Sequence, residues 1–194
     1  MSFYKKEVNK SIYFLKIGKI LLYPTDTIWG IGCDAFNEKS VQKIYTIKNR
    51  DPNKSMILLV ESIDRLCGLV GEISDFTRNM ISYNHIRYKK KPITIIYEIK
   101  KNIKYNFLIR NHSLAIRLTH DPFCKLLIKN LNRPIISTSA NLSGSTSPQS
   151  FNDINPCILN KIDYAVNLKR KEKSLYNHSM IMKIQSNQIK ILRM

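Results

Sequence analysis

The chain has 194 residues, of which 43% are hydrophobic, and a formal net charge of +18. This length and apolar content point to one globular domain over residues 1–194 with a real core. No apolar run is long enough to span a bilayer, which excludes an integral membrane protein of the helical kind.

The elements follow in chain order. Val8, Ile12 and Leu15 recur at helical spacing, and Gly18 is placed to end that helix. Ile20–Tyr23 is a short apolar strand. After the loop beyond it, Asn37 is the N-cap of a second helix carrying Val41, Ile44, Tyr45 and Ile47. Lys48 and Arg50 at its end suit the helix dipole. Met56–Val60 is a continuous apolar strand, and two helical stretches follow at 62–69 and 73–83.

Pro92–Ile99 and Ser113–Leu118 are β-rich. Pro122 opens a helix whose apolar face holds Phe123, Leu126, Leu127 and Leu131. Pro134–Thr138 is a strand that runs into a loop of small residues. The tail supplies three more strands, "YAV", "SMIMKI" and "QIKILR". Between them, residues 167–178 are polar, basic and without pattern, the best candidate for a mobile loop. Helices and strands alternate first and strands dominate later, which predicts an α/β fold with a mixed sheet covered by helices.

The N-terminal segment lacks the apolar run of a signal peptide, so a cytoplasmic, soluble protein is expected. Cys33, Cys67, Cys124 and Cys157 form no C-x-x-C pair, and the four histidines form no ligand cluster. Reduced, mostly buried thiols and no structural zinc follow. The charge has two explanations that stay open. One is a polyanionic partner such as a nucleotide or tRNA. The other is composition: the chain favours Lys, Asn and Ile, whose codons are A/T-rich.

No P-loop, dinucleotide fingerprint or G-x-S-x-G elbow is present. Three other clusters stand beside predicted strands: Thr25-Asp26-Thr27, "KNRDPNKS" from Lys48 to Ser55, and "STSANLSGSTS" from Ser137 to Ser147. Taken singly they read as turn chemistry, a solvated helix end and a surface loop. Taken together they put cations, hydroxyls and small residues at strand ends, where open α/β sheets hold ligands. A cationic, hydroxyl-rich site without an evident nucleophile suits nucleotidyl transfer, which depends on positioning and charge neutralisation.

In order and spacing, "YPTDTIWGIGCDA", "KIYTIKNR" with Lys54 beyond it, "LAIRL", "STSANLSG" and the closing "KILR" resemble the YrdC family. The likeness is to the short, single-domain threonylcarbamoyl-AMP synthases of bacteria. It implies a twisted mixed β-sheet with flanking helices around a positively charged cavity. It also implies synthesis of threonylcarbamoyl-adenylate and pyrophosphate from L-threonine, bicarbonate (or CO2) and ATP. Mg2+ would accompany the ATP, and a tRNA-modification complex would use the product on the adenosine beside the anticodon. Direct contact with tRNA or RNA is a further implied possibility, and no membrane is involved.

The resemblance assigns L-threonine to Thr27, Arg117, Ser137 and Ser179. Arg117 would grip the carboxylate, since a guanidinium fork gives planar, bidentate recognition. It assigns ATP to Lys48, Arg50, Lys54, Ser113, Ser139, Asn141, Ser147 and Arg193. Arg50 and Lys54 are the best candidates for a catalytic contribution, through the phosphates. Ser113 and Arg117 lie four residues apart and face the same side of one strand. Asp26 is left outside the list, as a residue that orients its loop.

Several positions depart from the family pattern. Trp29 replaces a tyrosine, Ser55 a proline and Thr119 a proline. Only Pro92 and Thr94 survive of a P-G-P-x-T motif, and Lys171–His178 replace a glycine-rich turn. Two other readings compete. A non-catalytic basic RNA-binding protein of the same fold is favoured by the charge, yet the chain lacks an RRM, a dsRBD or an aromatic stacking platform. A carbamoyl-transfer module of hydrogenase maturation would need acylphosphatase and zinc-finger regions for which the chain has no room.

Overall fold

The computed structural model describes residues 2–87, 91–99, 105–185 and 188–194. One mixed sheet of nine strands carries the fold, in the order β7-β1-β2-β6-β3-β5-β4-β8-β9. The strands are β1 (Leu21–Tyr23), β2 (Gly30–Asp34), β3 (Ile57–Val60), β4 (Ile93–Glu98), β5 (Ser113–Leu118), β6 (Ile135–Ser139), β7 (Tyr164–Ala165), β8 (Met180–Gln185) and β9 (Gln188–Arg193). Pairs β1/β7, β3/β5 and β4/β8 are parallel and the others antiparallel. The helices are α1 (Phe3–Lys16), α2 (Glu38–Lys48), α3 (Ile63–Val70), α4 (Asp75–Arg87), α5 (Pro122–Leu131) and the single turn α6 (Pro156–Leu159).

The period-two alternation of the strands feeds two cores. Leu22, Leu58, Ile116 and Ile136 point to one face, where α2, α3 and α4 contribute Ile44, Leu66 and Ile81. Leu21, Tyr23, Leu59 and Ile135 point to the other, against Val8 and Leu15 of α1 and Phe123 and Leu127 of α5. Caps fix where the helices start. Asn37 accepts from the Ser40 amide, Ser62 from Arg65 and Asp121 from Cys124. Helix α2 ends on Asn49 in the left-handed region, at φ 47°.

Strand β2 is the element that periodicity does not reveal. It is five residues, "GIGCD", with two glycines and an aspartate, all poor strand formers. Its pairing is set from outside, between β1 and β6. Gly32 is needed there for space. A Cβ on it would lie 2.1 Å from the Ile136 carbonyl oxygen and 2.7 Å from the Tyr23 hydroxyl. The Tyr23 ring covers the glycine, and its hydroxyl donates to that same carbonyl at 3.2 Å.

The segment 167–178 lacks regular structure but is tethered. Lys169 pairs with Asp121 at 2.6 Å, Arg170 donates to the Ala165 carbonyl, and the Ser174 amide donates to Gln149. No helix among the described residues is long and apolar enough to cross a membrane.

Candidate functional site

Helices α1 and α5 cover only part of their sheet face. Beyond them the central strands floor a cavity of about 240 Å³. Ser137, Ile57, Ala115 and Ile96 lie in one row across β6, β3, β5 and β4 and line it. Thr94 and Ile181, paired across β4 and β8, also line it. The walls are the 25–30 loop, Arg50 with Ser55 and Met56, and the segment at His178 and Ser179. Arg50, Arg117 and Arg193 all face this space, and no carboxylate lines it among the described residues.

The 25–27 loop is wound by its own hydroxyls. Thr25 Oγ1 accepts from the Thr27 amide at 3.0 Å and donates to the Ile28 carbonyl at 2.8 Å. That turn presents Thr27 Oγ1 to Arg117, whose Nη1 donates to it at 3.2 Å. Arg117 is 4% exposed, and its Nη2 stands 3.2 Å from the Asp26 carboxylate. Its Nε is buried with no hydrogen-bond partner among the described residues, as is the Nε of Arg50. A buried, unpartnered guanidinium donor costs free energy, and the guanidinium groups that line the cavity suit an anionic ligand group.

Arg50 is placed by α2 and held by one bond, Nη2 to the Ser55 carbonyl at 2.7 Å. Ser179 Oγ lies 2.8 Å from Thr94 Oγ1. Arg193 reaches back from β9, and its Nη2 donates to the Ser179 carbonyl at 3.0 Å. The Arg193 guanidinium is pushed below its usual range by burial first and then by the charge of Arg117, which lines the same cavity. His178 is shifted down by desolvation, then by Arg193 and Lys91, which favours the neutral imidazole near pH 7.

Seven of the twelve sequence candidates therefore meet in one cavity: Thr27, Arg50, Arg117, Ser137, Ser139, Ser179 and Arg193. Arg193 comes to rest beside Ser179, among the residues assigned to threonine. Lys48, Lys54, Ser113, Asn141 and Ser147 lie outside the lining. Lys54 is exposed, and its carbonyl accepts from the Tyr45 hydroxyl. Ser113 does share the strand face of Arg117, but it sits at the far end of β5 and bonds Arg110. Thr94 and His178 are lining residues that no motif had assigned, and Ser55 lines the cavity from the end of the "KNRDPNKS" cluster. The surviving Pro-x-Thr of the broken strand motif was the one available signal, for Thr94.

Lys48 is 1% exposed and works inside the protein. Its ammonium donates to the Asn141 carbonyl at 2.6 Å and to the Ser139 carbonyl, so it ties α2 to the loop after β6. Burial, and then the nearby Arg50 charge, lowers its pKa to about 7. In the unfolded chain a lysine titrates near ~10.4. The penalty for burying the charge is thus full below about pH 7 and fades as pH rises toward ~10. Urea unfolding at pH 7, 8 and 9 should show stability attributable to this group rising with pH. In Lys48→Met that component of the slope should vanish, and an unchanged slope would contradict the assignment.

Fold and site together define a class: a mixed-sheet α/β protein whose arginine- and hydroxyl-lined cavity suits anionic ligand groups. The family model described as Sua5_yciO_yrdC, telomere recombination, matches residues 13–194. The chain belongs to the Sua5/YciO/YrdC family. It is 32% identical over 158 residues to the threonylcarbamoyl-AMP synthase of Riesia pediculicola, covering 78% of this chain and 83% of that one. It is 32% identical over 157 residues to the threonylcarbamoyl-AMP synthase of Moraxella catarrhalis, covering 75% and 76%. The crystal structure of P. abyssi Sua5 complexed with L-threonine superposes with a TM-score of 0.79 at 22% identity. That match covers 96% of this chain and 53% of the other, so this chain spans about half the length of Sua5.

Proposed function

We propose that this protein is an L-threonylcarbamoyladenylate synthase, a nucleotidyltransferase that acts on L-threonine, bicarbonate (or CO2) and ATP. One observation carries the reading. Arg117 and Arg50 face a single cavity, each with a buried Nε donor that has no partner among the described residues. Two fixed cationic side chains in one space suit a reaction that brings an amino-acid carboxylate and a polyphosphate together. The relatives named threonylcarbamoyl-AMP synthase, at 32% identity, support the same reading.

In this reading Arg117 takes the threonine carboxylate and Thr27, Ser137 and Ser179 surround the amino acid. Arg193 stands on the same side. Arg50 faces the triphosphate, with Ser139 near the nucleotide. The threonine amine, as the free base, adds to the one-carbon unit and forms a carbamate, with loss of a proton when that unit is CO2 and of water when it is bicarbonate. A carbamate oxygen then attacks the α-phosphorus and pyrophosphate leaves. The side chains position the reactants and neutralise charge, and no covalent enzyme intermediate is needed.

The described residues offer no group of three His, Cys, Asp or Glu side chains that could hold a metal. Mg2+ would enter as the counter-ion of ATP. We place the reaction in the cytoplasm, where a tRNA-modification complex would consume the adenylate.

The test is pyrophosphate release from ATP, with threonine and bicarbonate each left out in turn. Release should require both. Release that is indifferent to threonine, or no release with all substrates present, would overturn the proposal. Trp29 is the chain's one tryptophan and lines the cavity. Its emission should change on adding L-threonine, and an unresponsive emission would count against ligand entry there.

A further inference from the structure

The three arginines of the cavity are not alike. Arg117 stands on β5, and Arg193 reaches the Ser179 carbonyl, whose residue bonds Thr94 on β4, the strand paired with β5. Arg50 bonds the Ser55 carbonyl instead, at the end of the loop after α2. Two neighbouring guanidiniums would normally make the better polyphosphate cradle. On that count the triphosphate should settle at the amino-acid end, which would block the reaction.

Asp26 changes the balance. It lies behind the cavity wall, where one carboxylate oxygen stands 3.2 Å from Arg117 Nη2. The other accepts from Thr119 Oγ1 at 3.3 Å and from the His120 amide at 3.2 Å. These contacts hold the carboxylate to the start of α5 and not to the cavity. Arg117 is thereby fixed on two sides, by Asp26 and by Thr27, with its Nε left over. Among the described residues, neither Arg50 nor Arg193 has a carboxylate within ion-pair distance.

We propose that Asp26 is a positioning and charge-sorting residue: its carboxylate orients Arg117 and removes one unit of charge from the doubly cationic end. That end then suits the single carboxylate of an amino acid and disfavours a polyphosphate, which is left to Arg50. The inference rests on the functional reading above. Like-charge repulsion from Asp26 acts on every phosphate oxygen brought to Arg117. A monocarboxylate carries less charge, and an amino acid also brings an ammonium.

The test uses calorimetric titration of pyrophosphate into the full chain, with and without saturating L-threonine. In the wild type, threonine should change pyrophosphate affinity less than about twofold, because the two occupy different ends. In Asp26→Asn, which keeps the shape and loses the charge, pyrophosphate should also bind at the Arg117 end. Threonine should then weaken that binding at least tenfold, and Asp26→Glu should restore the wild-type pattern. Independence in Asp26→Asn like that of the wild type would overturn the proposal. Arg50→Ala gives a second route should Asp26→Asn not fold. It should lose pyrophosphate binding at least tenfold, and pyrophosphate still bound there in competition with threonine would also overturn the proposal. Wild-type protein that binds neither ligand would overturn the functional reading together with this one. Wild-type protein that binds both, with Asp26→Asn still binding pyrophosphate independently of threonine, overturns the sorting alone.

Discussion

Arg117→Ala should raise the KM for L-threonine by about 100-fold, with the KM for ATP changed less than about threefold. Truncating one partner of a buried, hydrogen-bonded charge pair costs about 2–5 kcal/mol, and each ~1.4 kcal/mol is tenfold in affinity. Arg117 fits that case: it is 4% exposed and braced by Asp26 and Thr27, with a free buried Nε. The loss should fall on threonine because Arg117 bonds Thr27, whereas Arg50 bonds the Ser55 carbonyl. Steady-state kinetics with each substrate varied in turn reads the split. A larger change for ATP than for threonine would refute the division of the cavity.

Gly32→Ala should cost at least about 3 kcal/mol, enough to deplete the folded protein, since overpacking a tight interior with backbone displacement falls in the severe class. The new methyl would meet a carbonyl oxygen at 2.1 Å, and backbone cannot swing aside as a side chain can. To relieve it, β2 would have to part from β6, and Ser137 on the cavity floor pairs with Gly32 in that ladder. Gly68 is the matched control. It lies inside α3 with nothing within 4 Å of an added Cβ, so Gly68→Ala should stabilise by about 0.5–1 kcal/mol. Urea unfolding of both variants checks the pair. A Gly32→Ala cost below about 1 kcal/mol would show that the strand has slack these contacts do not reveal.

Much of this was legible in the residues because local chemistry agreed with the fold. The spacing of Val41, Ile44 and Ile47 and the Asn37 cap define α2, and "SLAIRL" is β5 to the residue. The motif exits did lie together, since Thr27, Arg50, Arg117 and Ser137 face one cavity. What escaped reading has physical causes. Strand β2 is held by its neighbours, against the preference of its glycines. Lys48 sits between Ile47 and Arg50 in a basic run, and nothing in that run says which cation turns inward. Only the tertiary position of the loop after β6 decides it, by offering two carbonyls to the Lys48 ammonium. Likewise Arg193 and Ser179 are fourteen residues apart with no shared motif, and the antiparallel pairing of β8 with β9 brings them together.

The row of residues that floors the cavity has a consequence for how the protein becomes active. Ile57, Ile96, Ala115 and Ser137 come from strands that are distant along the chain yet adjacent in space. Contacts of that kind form late and slowly, because loop closure must precede them. A partly folded chain therefore has no rudimentary site to nucleate on. Substrate should accelerate nothing early in refolding, yet it should raise the melting temperature of the whole sheet as one cooperative unit.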